Sequence, residues 1–258
     1  MRLLQHLSRI FSRYLVILGA LLFLHSNLFA KDRNDIGFEI RSHKAAIQIY
    51  PQQNSITCLD TILIHRLDSH GKKLSLDLLP VFEVGSILVN GKKEEFKRGD
   101  SFILIEDVPS DSLFEVTVSY SGMLSFQSDA CRISLDRAVL REEIVLPHCS
   151  GYLTYARFSI TVPKEWEAIT AGTLAAQSTV NDSTTYVWES KEANSEIGWI
   201  CAGEFKSQKG DGMPPVTVHV FPHDSTASPK DIIPLVAKVL DFYGKKFSPF
   251  RFPKLDIL

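Results

Sequence analysis

Excess charge of either sign is missing from this sequence. Its 28 Lys and Arg residues are set against 30 Asp and Glu, leaving a formal net charge of -2 over 258 residues. Such a balance makes no long-range field to gather nucleic acid or an anionic membrane, so neither is an expected partner. Cysteine is sparse. The chain holds four, and no two stand close enough to form a Cys-x-x-Cys metal or redox motif. Motifs of catalysis are missing too: there is no Gly-rich phosphate loop, no Gly-x-Ser-x-Gly elbow and no His-Glu-x-x-His pair. The last absence matters most, because two histidines must share one helix face to hold zinc while the glutamate activates water. No internal repeat and no low-complexity tract breaks the chain.

What is present begins at the N-terminus. Arg2, Arg9 and Arg13 precede the uncharged run Leu15 to Leu24, and Ala30 with Lys31 and Asp32 follows it. A basic segment, an apolar segment and a cleavage position after Ala30 make residues 1–30 an expected signal peptide. The run is shorter than the roughly 20 residues a spanning helix needs, and a retained membrane anchor is the alternative. Either way the protein is expected to be exported. Outside the cytoplasm Cys58, Cys131, Cys149 and Cys201 would meet oxidising conditions, and four cysteines allow three pairings among which the sequence does not choose. For strand positions such as Cys58 and Cys201 a small buried hydrophobe is an equal alternative.

Beyond the signal the dominant period is two. Phe114, Val116, Val118 and Tyr120 share one face of a run whose other face carries Glu115, Thr117 and Ser119, and Phe158, Ile160 and Val162 repeat the pattern. Further strands are expected at 45–50, 56–67, 74–79, 82–89, 102–105, 168–171, 185–188, 197–202 and 216–221. Asn90-Gly91 is the clearest hairpin turn, since both residues tolerate the positive φ it requires. Many short strands at close spacing imply a mainly β fold, an antiparallel sandwich, saddle or open barrel. Ser207 to Pro215, polar and rich in Gly and Pro, is the expected vicinity of a domain boundary.

There the period changes. Ser228 is a candidate N-cap, Pro229 stands at the first helical position, and Asp231 meets the exposed amides of the first turn. Ile232, Leu235, Val236, Val239, Leu240, Phe242 and Tyr243 follow at helical spacing, to end near Gly244 or Pro249. A helix with so wide an apolar stripe must bury it against something, yet only one short apolar strand, Leu255 to Leu258, follows.

Few residues are candidates for chemistry. His219 and His223 are four apart, but Pro222 interrupts a strand there, so the spacing does not bring the imidazoles together. His148 and Cys149 fall short of the four ligands of a structural zinc site. Glu142 and Glu143, between Arg141 and apolar Ile144 to Leu146, are the acidic pair a strand would divide, one carboxylate turned inward and one facing water. An inward carboxylate would suit a substrate amine; a plain surface pair is the commoner outcome. Asn181-Asp-Ser183 has the form of a glycosylation acceptor and marks an exposed loop.

Three stretches together resemble a known family. Pro147-His148 with Tyr155-Ala-Arg-Phe-Ser-Ile-Thr-Val-Pro163 and Ala168-Ile-Thr-Ala-Gly172 is similar to the N-terminal domain of aminopeptidase N-type zinc metallopeptidases. Ile197-Gly-Trp-Ile-Cys-Ala-Gly-Glu-Phe205 resembles the strand closing that domain, and Pro229–Lys246 with "FSPFRFPKLDIL" resembles the opening of the family's catalytic domain. The resemblance spans residues 36–258. It implies an exported or membrane-attached exopeptidase with a saddle-like β domain followed by a thermolysin-like zinc domain. It also implies that a carboxylate ahead of the Pro turn meets the substrate's free amine, a role that falls by position on Glu142 or Glu143. The family's Gly-x-Met-Glu-Asn and zinc motifs have no counterpart here, so no metal ligand or catalytic residue carries over.

The expected organisation is therefore a signal at 1–30, an N-terminal β domain at 31–206, and a linker with a truncated start of a catalytic domain at 207–258. The chain is expected to hold no cofactor, zinc belonging to the missing domain, and to meet peptide substrate only with that domain. Membrane contact is expected only through an uncleaved N-terminal segment. A stand-alone exported β-sandwich that binds a partner, without enzymatic activity, is the competing expectation.

Overall fold

The computed structural model describes residues 37–68, 72–124, 131–149, 154–194, 198–212, 214–222, 228–250, 252 and 254–258. The expected signal at 1–30, His223 and Ile197 lie outside the described residues. In chain order the elements are β1 (Phe38–Tyr50), β2 (Ser55–Arg66), β3 (Leu74–Asp77), β4 (Phe82–Val89), β5 (Lys92–Lys93), β6 (Lys97–Arg98), β7 (Phe102–Ile105), β8 (Leu113–Met123), β9 (Cys131–Ile133) and β10 (Arg137–Arg141). They continue with α1 (Glu142–Val145), β11 (Thr154–Pro163), β12 (Glu167–Ile169), β13 (Thr173–Val180), β14 (Ser183–Asn194), β15 (Trp199–Gly203), β16 (Lys206–Lys209), β17 (Val216–Val220), α2 (Pro229–Lys246) and β18 (Leu255–Ile257).

The mainly β architecture is the one the alternation implies. An eight-stranded sheet runs β13-β14-β11-β1-β2-β8-β4-β5, a four-stranded sheet runs β12-β15-β10-β9, and a three-stranded sheet runs β3-β7-β6. Their inner faces meet in one core. Ile56, Ile62 and Ile64 of β2 and Phe114, Val116 and Val118 of β8 bury every second side chain, against Leu140, Ile200 and Ala202 of the smaller sheet and Leu74, Leu76 and Ile103 of the third. Each such side chain contributes about 1.5–3 kcal/mol by leaving water. Two pairings depart from the antiparallel expectation: β1 and β11 run parallel, from Ser42↔Tyr155 to Gln48↔Thr161, and so do β17 and β18.

Two turns show why their residues are required. Asn90 at φ 48 and Gly91 at φ 78 close the β4–β5 hairpin, with Val89 opposite Lys92. Gly172 at φ 92 lies so close to β14 that an added Cβ would stand 2.3 Å from the Glu189 carbonyl oxygen, so only glycine passes there.

The terminal sheet, β16-β17-β18, is separate from the others. β18 lies parallel to β17, pairing Val216↔Leu255 through Val218↔Ile257. α2 packs on β17 and β16 and starts at Pro229 as its spacing implies. Ser228 is the N-cap by position, but its side chain makes no cap hydrogen bond; its carbonyl accepts from the amides of Asp231 (2.9 Å) and Ile232 (3.2 Å). No residue of α2 is buried: Leu235 is 62% exposed, Phe242 56% and Tyr243 54%. The apolar stripe is real and half of it faces solvent. No helix among the described residues is long and apolar enough to cross a membrane.

None of the four cysteines forms a disulfide; Cys58, Cys131 and Cys201 are buried and Cys149 is half-buried. They occupy the places of small hydrophobes.

Candidate functional site

β10 ends at Arg141, and the chain turns at once into α1. Glu142 and Glu143 thus stand in the first turn of a helix, where their charge meets exposed amides, and not on the strand that the sequence suggested. The turn is held from the core. Tyr120 Oη donates to the Val145 carbonyl at 2.6 Å, satisfying an oxygen the helix end leaves open. Glu143 is exposed and ion-paired with Arg141, whose guanidinium lies 5.6 Å from the ring centre of Trp199. Glu142 is half-buried, and its amide donates to the Gly198 carbonyl at 3.4 Å. Of the two, Glu143 is the exposed residue and Glu142 the half-buried one, and a helical turn, not a strand, separates them.

Beyond α1 the Pro turn is pinned to β3. Asp77 and His148 exchange backbone hydrogen bonds of 2.7 and 3.0 Å, and His148 Nε2 lies 3.8 Å from Asp77 Oδ2. Cys149 Sγ faces the Phe38 carbonyl at 3.9 Å. His148 and Cys149 are therefore fastened to separate parts of the β body, not aimed at a common ligand.

A second concentration of polar chemistry lies on the terminal sheet. Ser207, His219 and Asp256 stand on three adjacent strands, and a carboxylate only accepts, so His219 Nε2–H donates to Asp256 Oδ1 (3.2 Å) and Nδ1 accepts from Ser207 Oγ (2.8 Å). Asp256 is also paired with Lys254. Burial raises the Asp256 carboxyl, but hydrogen bonds from His219 and Lys254 and the Lys254 charge outweigh it and hold the group below the usual carboxylate range. Burial lowers the Lys254 ammonium, partly offset by Asp256. Hydroxyl, imidazole and carboxylate occur in this row, but acid and hydroxyl take the imidazole nitrogens opposite to those in a serine-hydrolase triad. Ser207 and His219 are directly paired across β16 and β17, the arrangement of a cross-strand side-chain contact.

The third concentration is inside the core. His43 Nδ1–H donates to Asp60 Oδ2 at 2.7 Å, with the side chains 4% and 0% exposed. Near them, burial and the Asp60 charge raise the Cys58 thiol well above its ordinary value, and burial likewise raises Tyr120. Substrate cannot reach this group. On the outer face of the same strands a shallow hollow of about 650 Å³ is lined by Gln48, Thr57, Leu59, Glu83, Ser121 and Thr161, among others. A groove of about 580 Å³ runs between α2 and the terminal loops, past Gly210, Pro215, Ile233, Leu240 and Phe250.

Zinc requires three or four converging ligands. Among the described residues no group of three His, Cys, Asp or Glu side chains converges to hold a metal, so those residues make no zinc site. His219 finds partners 12 and 37 residues away in the sequence, Ser207 and Asp256. An acid at Asp60, on the buried face between Cys58 and Ile62, is the sequence signal of the internal hydrogen bond to His43.

No family model matches the sequence, and no curated protein matches it. Solved structures do match the fold. The M1 zinc metallopeptidase from Deinococcus radiodurans superposes with a TM-score of 0.69 at 13% identity, covering 85% of this chain and 55% of that one. A mutant of it bound to a Tyr-Ser-Ala substrate gives 0.69 at 14% identity, covering 85% and 56%. A two-domain M1 zinc metallopeptidase mutant bound to L-arginine gives 0.69 at 13%, again covering 85% and 56%. The chain thus spans just over half the length of these structures, and its fold resembles the N-terminal part of M1 metallopeptidases.

Proposed function

We propose that this chain is the non-catalytic N-terminal portion of an exported, aminopeptidase N-type zinc metallopeptidase. The observation that carries the reading is the shared fold over 85% of the chain, matched to only about half of enzymes that hold zinc. The order of the sequence stretches that resemble the family supports it from a separate direction. In this reading residues 31–206 are the N-terminal β domain and 207–258 open a thermolysin-like domain. Residues 1–30 direct export. Zinc ligands, general base and peptide-bond chemistry lie outside these 258 residues, since the sequence has no His-Glu-x-x-His.

The part left to this chain is substrate positioning. Glu142 or Glu143, at the start of α1, would accept a charge-assisted hydrogen bond from the free amine of a peptide. A free amine read by a carboxylate is what makes a peptidase cleave from the N-terminus.

The coding sequence after the Leu258 codon tests the reading. It is expected to encode His-Glu-x-x-His, in frame or one frameshift away. A stop codon followed by an unrelated gene would overturn the reading in favour of a stand-alone exported binding module.

A further inference from the structure

β18 is three residues long, with a single neighbour, and pairs with it in parallel, the weaker ladder. A strand so short at a sheet edge is expected to fray unless something else ties it down. The terminal sheet shares no ladder with the β body, and one join between them is apolar: the Phe221 ring lies 4.7 Å from that of Phe205, under the Arg137 guanidinium at 3.9 Å and against Gly203. That join holds β17. It does not reach β18.

Lys254 does reach. Its Nζ donates to the Thr170 carbonyl at 3.0 Å and lies 3.9 Å from the centre of the Trp188 ring. Thr170 follows β12 of the four-stranded sheet, whereas Trp188 belongs to β14 of the eight-stranded sheet. The same ammonium is paired with Asp256 of the terminal sheet. One cation therefore ties together three of the four sheets. The Lys254 and Asp256 side chains are only 19% and 16% exposed, a setting in which charge pairing and a cation over an indole face are worth more than at a wet surface. From Asp256 the chain of hydrogen bonds continues through His219 to Ser207 on the far strand, and the Asp256 charge is felt by the buried Cys201 of β15.

We propose that Lys254 is a latch that docks the terminal sheet onto the β body, acting through the relay Trp188/Thr170–Lys254–Asp256–His219–Ser207. It fixes the direction in which the chain leaves the β body at β18, and is a positioning residue with no chemistry of its own. Where a second domain continues from β18, the latch sets the orientation of that domain. The latch itself does not depend on the metallopeptidase reading, and its failure would leave that reading untouched.

Amide hydrogen exchange on the 258-residue chain tests it. The Leu255 amide donates to the Pro215 carbonyl at 3.0 Å and reports on docking of β18. Lys254→Met is expected to speed exchange at Leu255 by about tenfold or more while β2 amides such as Ile62 stay unchanged. Emission from Trp188, which loses the overlying cation, should shift in the same variant, and Lys254→Arg, which keeps a cation to stack, should restore much of the protection. Lys245→Met, which removes an exposed pair with Asp241 on α2, should change Leu255 little. Leu255 exchange within about twofold of wild type in Lys254→Met, or equal acceleration throughout the β body, would overturn the latch. Should Lys254→Met not fold, wild type decides: protection of Leu255 matching that of Val218 on β17 supports the latch, and a frayed Leu255 beside a protected Val218 overturns it.

Discussion

His43 Nδ1 lies 2.7 Å from Asp60 Oδ2 at the centre of the largest sheet, with both side chains out of reach of water and Asp60 Oδ1 lacking a hydrogen-bond partner. A buried pair contributes little net stability, but removing one partner strands the other. Asp60→Ala is therefore expected to cost about 1–3 kcal/mol by leaving a buried His43 N–H without a partner. Replacing both residues with leucine should recover most of that loss. Urea unfolding of the three proteins measures it, and an Asp60→Ala midpoint equal to wild type would contradict the arrangement.

The acidic limb of the stability curve should carry the signature of Asp256. Its carboxyl is held below the ordinary range in the folded chain, so near pH 4 the native state binds fewer protons than the unfolded chain. The stability it contributes is fully present above about pH 4 and is lost as pH falls through the depressed folded value. Urea midpoints of wild type and Asp256→Asn should therefore differ at pH 7 and converge towards pH 3. A constant gap would show that the pair is not coupled to folding.

The cysteines should be reduced in the purified chain and unequal in reactivity. Burial pushes the Cys201 thiol up to about 12 and Cys131 to about 11, with the Asp256 charge adding to the former. At pH 8 roughly one Cys201 in ten thousand is then a thiolate. A chromogenic disulfide reagent should find Cys149, the half-buried one, first, and count four thiols only after unfolding. Fewer than four in denaturant would mean that a disulfide is present.

Half of the apolar stripe of α2 faces water, so the isolated chain should associate. Replacing Leu235 and Phe242 together with glutamate should lower light scattering and dye binding without unfolding the β body, since neither side chain is buried. Unchanged scattering in the double variant would assign association to another surface.

Local signals carried much of the fold and almost none of its long-range chemistry. The terminal helix starts and stops where Pro229 and the 3.6-residue period place it, and Phe82–Val89 and Phe102–Ile105 coincide with their apolar runs. β1 begins seven residues earlier than its pattern suggests, because the register shift between Ile40 and Ser42 changes which residues face inward. Glu39 and His43, which look like surface residues, are buried there with His65 and Asp60 as partners. β13 shows no alternation at all: from Leu174 to Val180 every residue is exposed, and the strand is held by its ladder to β14. The Ser207–His219–Asp256 row and the reach of Lys254 to Trp188 depend on which strands become neighbours, information that no local period contains.

The proposed function assigns these 258 residues, whose fold resembles the N-terminal part of M1 metallopeptidases, no peptidase chemistry of their own. Hydrolysis of aminoacyl p-nitroanilides by the purified chain, with zinc content measured on the same sample, tests it most directly. The expected result is no turnover above buffer and far less than one zinc per chain; turnover that follows the purified chain and disappears with a chelator would contradict it.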